Sequence, residues 1–255
     1  MSSRPDDATE KAGMPPHPTL TAYYSSAEER QAVVNGLFDD SARYYDWICR
    51  MMSAGTGSRY RREVLWRAGL RPGMRLLDVA TGTGLVAREA LVILGEGRQV
   101  VGLDPSAGML GECHKVIPGR LVRGVGEALP FRDRQFDVLS MGYALRHVPD
   151  LALAFREYHR VLTSGGRVVI MEIVRPRSRL GVFVLRLLLK HALPLLTRIG
   201  TGSVRAETLM RYYWETVVNS VPPQVVLDAL RRAGFDSVEQ RRLGFVLSEY
   251  VGTRP

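Results

Sequence analysis

The sequence predicts a doubly wound α/β domain. Its sheet would be seven-stranded and mostly parallel, closed by a C-terminal antiparallel hairpin, with extra helices at the front and late in the chain. Three observations predict it. Short apolar runs alternate with helical segments through the middle of the chain, as parallel strands do when crossover helices join them. The last two runs are joined too tightly for a crossover helix and are expected to pair antiparallel. The first strand ends in a glycine-rich loop that leads into a helix. With 255 residues, 45% hydrophobic and 24% charged, the chain suits one generous domain and excludes disorder or low complexity as its main character.

Taken in order, residues 1–20 are polar and proline-containing with no apolar h-region, so they read as a disordered leader and not as a signal peptide. Residues 21–255 follow as a single domain. Its N-terminal cap, 27–70, holds three helices at Ala27–Phe38, Ser41–Met52 and Ser58–Ala68. Val34, Leu37 and Phe38, then Tyr45, Ile48 and Met52, recur there at helical spacing. Strands are expected at Arg75–Val79, Gln99–Leu103, Arg120–Arg123, Phe136–Met141 and Arg167–Ile173. Helices fall between them at Gly84–Leu94, Ala107–Val116 and Leu151–Leu162. A basic lid insertion, 175–220, ends in a helix near Ala206–Ser220. A helix at Pro223–Ala233 stops at Gly234, and Ser237–Leu243 with Phe245–Gly252 form the hairpin.

The net charge of +9 resembles that of a nucleic-acid binder at first sight, but its placement argues otherwise. Between Arg175 and Arg211 eight cations face one acid, Glu207, so +7 of the charge belongs to that segment. Aromatic residues are not interleaved there, with Phe183 alone until Tyr212, which disfavours nucleic acid. Arg186, Lys190, His191 and Pro194 interrupt the apolar stretch Leu180–Leu196, so it is not expected to cross a bilayer. Arg179, Arg186 and Lys190 share one helical face, with Phe183, Val184, Leu187 and Leu188 around the rest. Such a helix can lie in an anionic membrane interface, or it can pack its leucines on the core as a plain lid. Cys49 and Cys113 form no paired motif, so no metal site is expected and a reducing cytoplasm is the simplest compartment. A homodimer is compatible with all of this.

The run Leu77-Asp78-Val79-Ala80-Thr81-Gly82-Thr83-Gly84 carries the chemistry. Gly82 and Gly84 permit a sharp turn and close approach of a ligand ahead of a helix N-terminus. With Ala87 and a later Asp104 the run also fits a dinucleotide loop, which keeps a nicotinamide dehydrogenase in view. Asp78 argues against it, because a pyrophosphate would be repelled by a carboxylate at that position. S-adenosylmethionine has no phosphate and carries an ammonium and a sulfonium, so Asp78 suits it. Asp104 ends the second strand, where a carboxylate can accept from both ribose hydroxyls. A helix cap or a strand-end turn is the plain alternative for either acid.

With these residues the sequence resembles the class I S-adenosylmethionine-dependent methyltransferases, and more closely the ubiquinone/menaquinone biosynthesis C-methyltransferases. The resemblance runs from Leu37 to Gly252. Besides the glycine loop it rests on Leu37-Phe38-Asp39, Tyr45-Asp46, Met52-Ser53-Ala54-Gly55 and Glu127-Ala128-Leu129-Pro130-Phe131. Leu145-Arg146, Arg160-Val161-Leu162, Gly165-Gly166-Arg167 and Ala233-Gly234-Phe235 complete it. It implies a Rossmann-like fold and S-adenosylmethionine as cofactor. The cofactor would be held by Asp78, Ala80, Gly82, Thr83, Gly84, Asp104, Pro105, Met109, Val125, Gly126 and Met141. Three departures stand out: Val125 replaces an acid or amide that bonds adenine, Met141 replaces a frequent serine, and His147 replaces a typical asparagine.

By the same resemblance the acceptor is a small lipophilic aromatic, a quinone precursor methylated on a ring carbon, with Tyr45, Arg146 and His147 around it. A ring carbon attacks only when a neighbouring hydroxyl is ionised. Arg146 would stabilise that phenolate, His147, titrating near neutrality, would take the proton, and Tyr45 would orient the ring. The plain alternatives are a salt bridge for Arg146, a turn-capping hydrogen bond for His147 and packing for Tyr45. Competing readings are a methyltransferase for a natural-product hydroxyl or nitrogen or a phospholipid amine, and a methyltransferase-like protein without methyl transfer.

Overall fold

The computed structural model describes residues 13–95, 99–117 and 120–255, so the first twelve residues of the expected leader lie outside it. The chain enters as α1 (Ala27–Met52) and α2 (Gly57–Arg67). It then builds β1 (Leu76–Val79), α3 (Leu85–Leu94), β2 (Val100–Asp104), α4 (Ala107–Cys113), β3 (Leu121–Arg123) and β4 (Phe136–Gly142). A short 3-10 turn, Leu145–His147, leads into α5 (Leu151–Val161) and β5 (Leu162–Ile173). The late helices are α6 (Arg179–Arg186), α7 (Leu193–Thr201), α8 (Val204–Val218) and α9 (Pro223–Arg232), before β6 (Asp236–Leu243) and β7 (Leu247–Thr253).

The strand order is β3-β2-β1-β4-β5-β7-β6. Strands β1 to β5 run parallel, and β7 is antiparallel to both β5 and β6. The expected doubly wound sheet with its closing hairpin is therefore present. Chain direction along the sheet reverses between β1 and β4, which opens a crevice beyond their carboxyl ends where such sheets bind ligands.

Apolar side chains fill both faces. Phe155 and Tyr158 of α5 and Leu230 of α9 pack with Leu77, Leu139 and Ile170 on one side. On the other side, Val64 of α2 and Ala87 and Ala90 of α3 pack with Leu76, Val100 and Val169. A third cluster lies around α1 and the lid: Leu37, Ile48, Leu189, Leu209, Tyr213 and Trp214.

Two expectations need correction, and the basic helix adds a detail. The two leading helices are one 26-residue helix, capped by Ser26, whose hydroxyl accepts from Glu29 N–H. Asp39 looked like a boundary, but its carboxylate is engaged by α4, accepting from Ser106 Oγ and Gly108 N–H. The leader is ordered at least from residue 13. Met14 and Pro16 carbonyls accept from Leu151 and Val221 N–H, and His17 is buried. The basic helix contains a π turn at Leu187–Ala192 just ahead of Pro194. Pro194 lacks an N–H and its ring crowds the carbonyl four residues back, and the wider turn relieves both.

Candidate active site

The loops after β1, β2 and β4 and the inner face of α1 line an open cleft, about 1040 Å³ with its solvent-filled mouth included. Its floor is the glycine loop. Ala80, Gly82 and Gly84 all adopt positive φ, at 53°, 57° and 85°. A Cβ on Gly82 would meet no protein atom within 4 Å, so the loop turns a bare backbone toward the cavity. Asp104 accepts from Gly82 N–H and Ser106 N–H, each at 2.8 Å, and lies on the cleft wall. Burial pushes its carboxyl up to about 6 against those stabilising bonds.

Pro105, Met109, Val125, Gly126 and Met141 line the same part of the cleft, with Leu103. They form an apolar slot beside the carboxylates of Asp104 and Glu127. A nucleoside fits that set: a flat base between aliphatic side chains, and ribose hydroxyls toward Asp104. Val125 offers the base no side-chain hydrogen bond.

Two expected cofactor residues stand behind the wall. Asp78 is 1% exposed, and its oxygens accept from Thr81 Oγ1 and Ser140 Oγ, both at 2.7 Å. It therefore shapes the loop, which corrects the direct contact with an ammonium expected of it. Burial raises its carboxyl to about 6 as well. Gly84 starts α3 in a left-handed turn where a Cβ would strike Cys113 Sγ at 2.9 Å, so its task is packing. Thr83 lines the cleft and donates to Asp46 of α1, tying the loop to the cap.

The rest of the cleft is largely aromatic. Val34, Phe38 and Tyr45 of α1 line it together with Tyr143, His147 and Tyr213. Burial holds the Tyr45 phenol well above its usual range, so it is a hydrogen-bond donor. His147 lies in contact with Phe38 edge-on and Tyr212 stacked, with both ring nitrogens unpartnered among the described residues. Burial, then Arg146 and Arg30, hold it well below 6.5, so it stays neutral instead of titrating near neutrality. The turn-capping alternative is also absent, since Asp150 caps α5.

Arg146 does not reach the cavity. It is 1% exposed, ion-paired with Glu172, and donates to Tyr143 O at 2.7 Å and Thr216 Oγ1 at 3.1 Å. Its guanidinium lies 3.8 Å from the Tyr213 ring centroid. It thus holds two wall residues and acts on an acceptor only through its field. Arg30 was missed: it donates to Arg146 O, lies 3.2 Å from His17 Nε2 and has no acid partner among the described residues. A lone arginine on a helix carries no sequence signal that it will be buried.

A profile of the ubiE/COQ5 methyltransferase family matches residues 24–253. The chain belongs to that family. It is 32% identical over 240 residues to a demethylmenaquinone methyltransferase of Symbiobacterium thermophilum, covering 90% of this chain and 95% of that protein. It is 29% identical over 233 residues to the ubiquinone/menaquinone biosynthesis C-methyltransferase UbiE of Francisella tularensis subsp. holarctica, covering 88% and 92%. Among solved structures, a SAM-dependent methyltransferase from Thermotoga maritima superposes with a TM-score of 0.59 at 18% identity, covering 86% of this chain and all of that one. The ubiE/COQ5 protein described here is a methyltransferase whose methyl donor is S-adenosylmethionine. The resemblance read from its motifs is borne out.

Proposed function

We propose that the chain transfers a methyl group from S-adenosylmethionine to a ring carbon of a lipophilic quinol in quinone biosynthesis. The observation that carries this is the continuity of the cleft: the nucleoside slot opens directly onto the aromatic wall of Phe38, Tyr45, Tyr143, His147 and Tyr213. The names of its relatives support the quinol. The donor supplies an electrophilic sulfonium methyl, and the chain's task is to present an electron-rich ring carbon in line with it.

The positive field of Arg146 and Arg30 disfavours a charged imidazolium at His147, and the same field favours a phenolate beside it. His147 then accepts a hydrogen bond from the acceptor hydroxyl, and Tyr45 donates one to the ring oxygens. The hydroxyl proton passes to solvent, because His147 is held too acidic to keep it. The experiment is transfer of an isotope-labelled methyl to demethylated naphthoquinols and benzoquinols. A product one methyl heavier, on carbon, with release of S-adenosylhomocysteine is expected. Labelling only of hydroxyls or amines would favour an O- or N-methyltransferase, and no labelling would overturn the quinol as the acceptor.

The reading extends to place. The segment 175–211 would rest on an anionic membrane from the cytoplasmic side, where a prenylated acceptor resides. Leu180, Phe183 and Ile199 are 72%, 64% and 73% exposed, on the side of the helix away from its packed residues Leu185, Leu189 and Leu193. Arg179, Arg186 and Arg198 flank them without ion pairs among the described residues. By length and mean hydropathy, 1.6, the helix Arg179–Thr201 could cross a bilayer, but its inner stripe is packed on the protein, which favours lying in the plane. A homodimer through the same stripe is the other occupant.

A further inference from the structure

Four arginines occur close together on α2, and three of them are paired. Arg59 binds Glu63 at 2.8 Å, Arg62 binds Glu89 at 2.7 Å and Arg67 binds Glu249 at 2.7 Å. The fourth, Arg61, is the most buried, 7% exposed, yet it has no ion pair or hydrogen bond among the described residues, and its Nε is enclosed without a partner. Its one recorded neighbour of note is the Tyr143 ring, 5.6 Å from the guanidinium carbon.

A buried cation without a counter-charge is costly, so such a group points to a ligand that supplies one. The room for the Arg61 guanidinium itself is built in. At Gly57, one turn earlier, a Cβ would lie 2.6 Å from Arg61 Nη1 and 2.9 Å from Ser53 Oγ. Gly57 is helical with no positive φ, so glycine is needed there for room and not for backbone freedom.

Arg61 lies on the wall of the cofactor cleft, beside Cys49 and Leu85. The sheet order says which end of the cofactor meets it. Val125 follows β3, Asp104 ends β2 and Gly82 follows β1, so base, ribose and tail run in that order along β3-β2-β1. Arg61, beside Tyr143 at the end of β4, stands at the next position, where the amino-acid tail ends. The nearby acid Asp46 is already committed to Thr83.

We propose that Arg61 binds the α-carboxylate of the amino-acid tail of S-adenosylmethionine and so sets where the sulfonium lies along the cleft. The proposal rests on the cofactor assignment and goes beyond the residues that the glycine motif identifies.

Calorimetry with S-adenosylhomocysteine and with S-adenosyl-3-thiopropylamine, which lacks only the carboxylate, tests it. Wild-type protein is expected to favour the first by about tenfold or more. Arg61→Met is expected to lose about tenfold for S-adenosylhomocysteine and to bind the amine within about twofold of wild type. Without ligand, Arg61→Met should melt no lower than wild type, since an unpaired buried charge has been removed. Arg61→Lys should fall between the two in its preference. Equal wild-type affinity for both compounds would overturn the proposal. So would equal weakening of both by Arg61→Met, or a lower ligand-free melting temperature in both variants, which would assign Arg61 to the scaffold. If the wild type binds neither compound, the cofactor assignment itself fails; S-adenosylhomocysteine binding that ignores Arg61 removes only this proposal.

Discussion

His147 and Arg146 adjoin in the chain, yet one faces the cleft and the other is sealed beneath it against Glu172 and Tyr213. Their pairing in sequence suggested two groups acting together on the acceptor, and the fold separates their tasks. His147→Ala should lower kcat by about tenfold or more while S-adenosylhomocysteine affinity stays within about twofold. His147→Asn, which keeps a hydrogen-bonding group but cannot act as a base, should recover most of the loss; equal loss in both variants would return His147 to the base role. The two buried acids give a second expectation. Asp78 and Asp104 are raised to about 6, so both are charged at pH 7 and take up protons as the pH falls through 6. A protonated Asp104 no longer accepts from ribose, so affinity for S-adenosylhomocysteine should drop by about tenfold from pH 7 to 5. The ligand-free protein should respond in the opposite direction. A folded-state value above the unfolded one means the native state binds more protons between them, so these acids favour folding more as the pH falls. Melting curves with and without ligand across pH 5 to 7 would show the two trends converge.

The cap and the sheet are clasped at α1. Asp39 accepts from Ser106 and Gly108 at the start of α4, and Asp46 accepts from Thr83 in the glycine loop. The cofactor floor and α1 are therefore joined by two carboxylates about two turns apart on that one helix. Gly108 lets them close: a Cβ there would lie 2.9 Å from the Asp39 Cα and carbonyl, backbone that cannot swing aside. Gly108→Ala should cost about 1–3 kcal/mol in denaturant unfolding and weaken cofactor binding, because α1 must back away from α4. Unchanged stability would mean the two helices are not clasped in solution. At this scale the sequence was legible where periodicity rules. The strands β1 to β4 fall within a residue or so of expectation, since a parallel strand covered on both faces reads as a nearly continuous apolar run. The helix boundary at Asp39 and the leader were misread because both depend on distant partners, Ser106 and Gly108 in one case and Leu151 and Val221 in the other.

For the whole molecule, the membrane reading rests on the exposed apolar stripe of α6 and α7. Replacing Leu180, Phe183 and Ile199 together by Ser should abolish flotation with anionic vesicles, leave S-adenosylhomocysteine affinity unchanged, and lower turnover only for long-chain acceptors. Wild-type flotation should weaken at high salt. No flotation at low salt, with sedimentation as a dimer that the substitutions dissociate, would assign the stripe to a second copy instead. The sequence by itself determined the sheet, the glycine loop, the donor and the family, because apolar periodicity and glycine conformation are local properties of the chain. Only the tertiary structure decided which charges work on the cleft. It set Arg146 and Asp78 behind the wall with partners, left Arg61 and Arg30 buried without acids among the described residues, and held His147 neutral. Burial and counter-charge set those roles, and both depend on residues far apart in the chain.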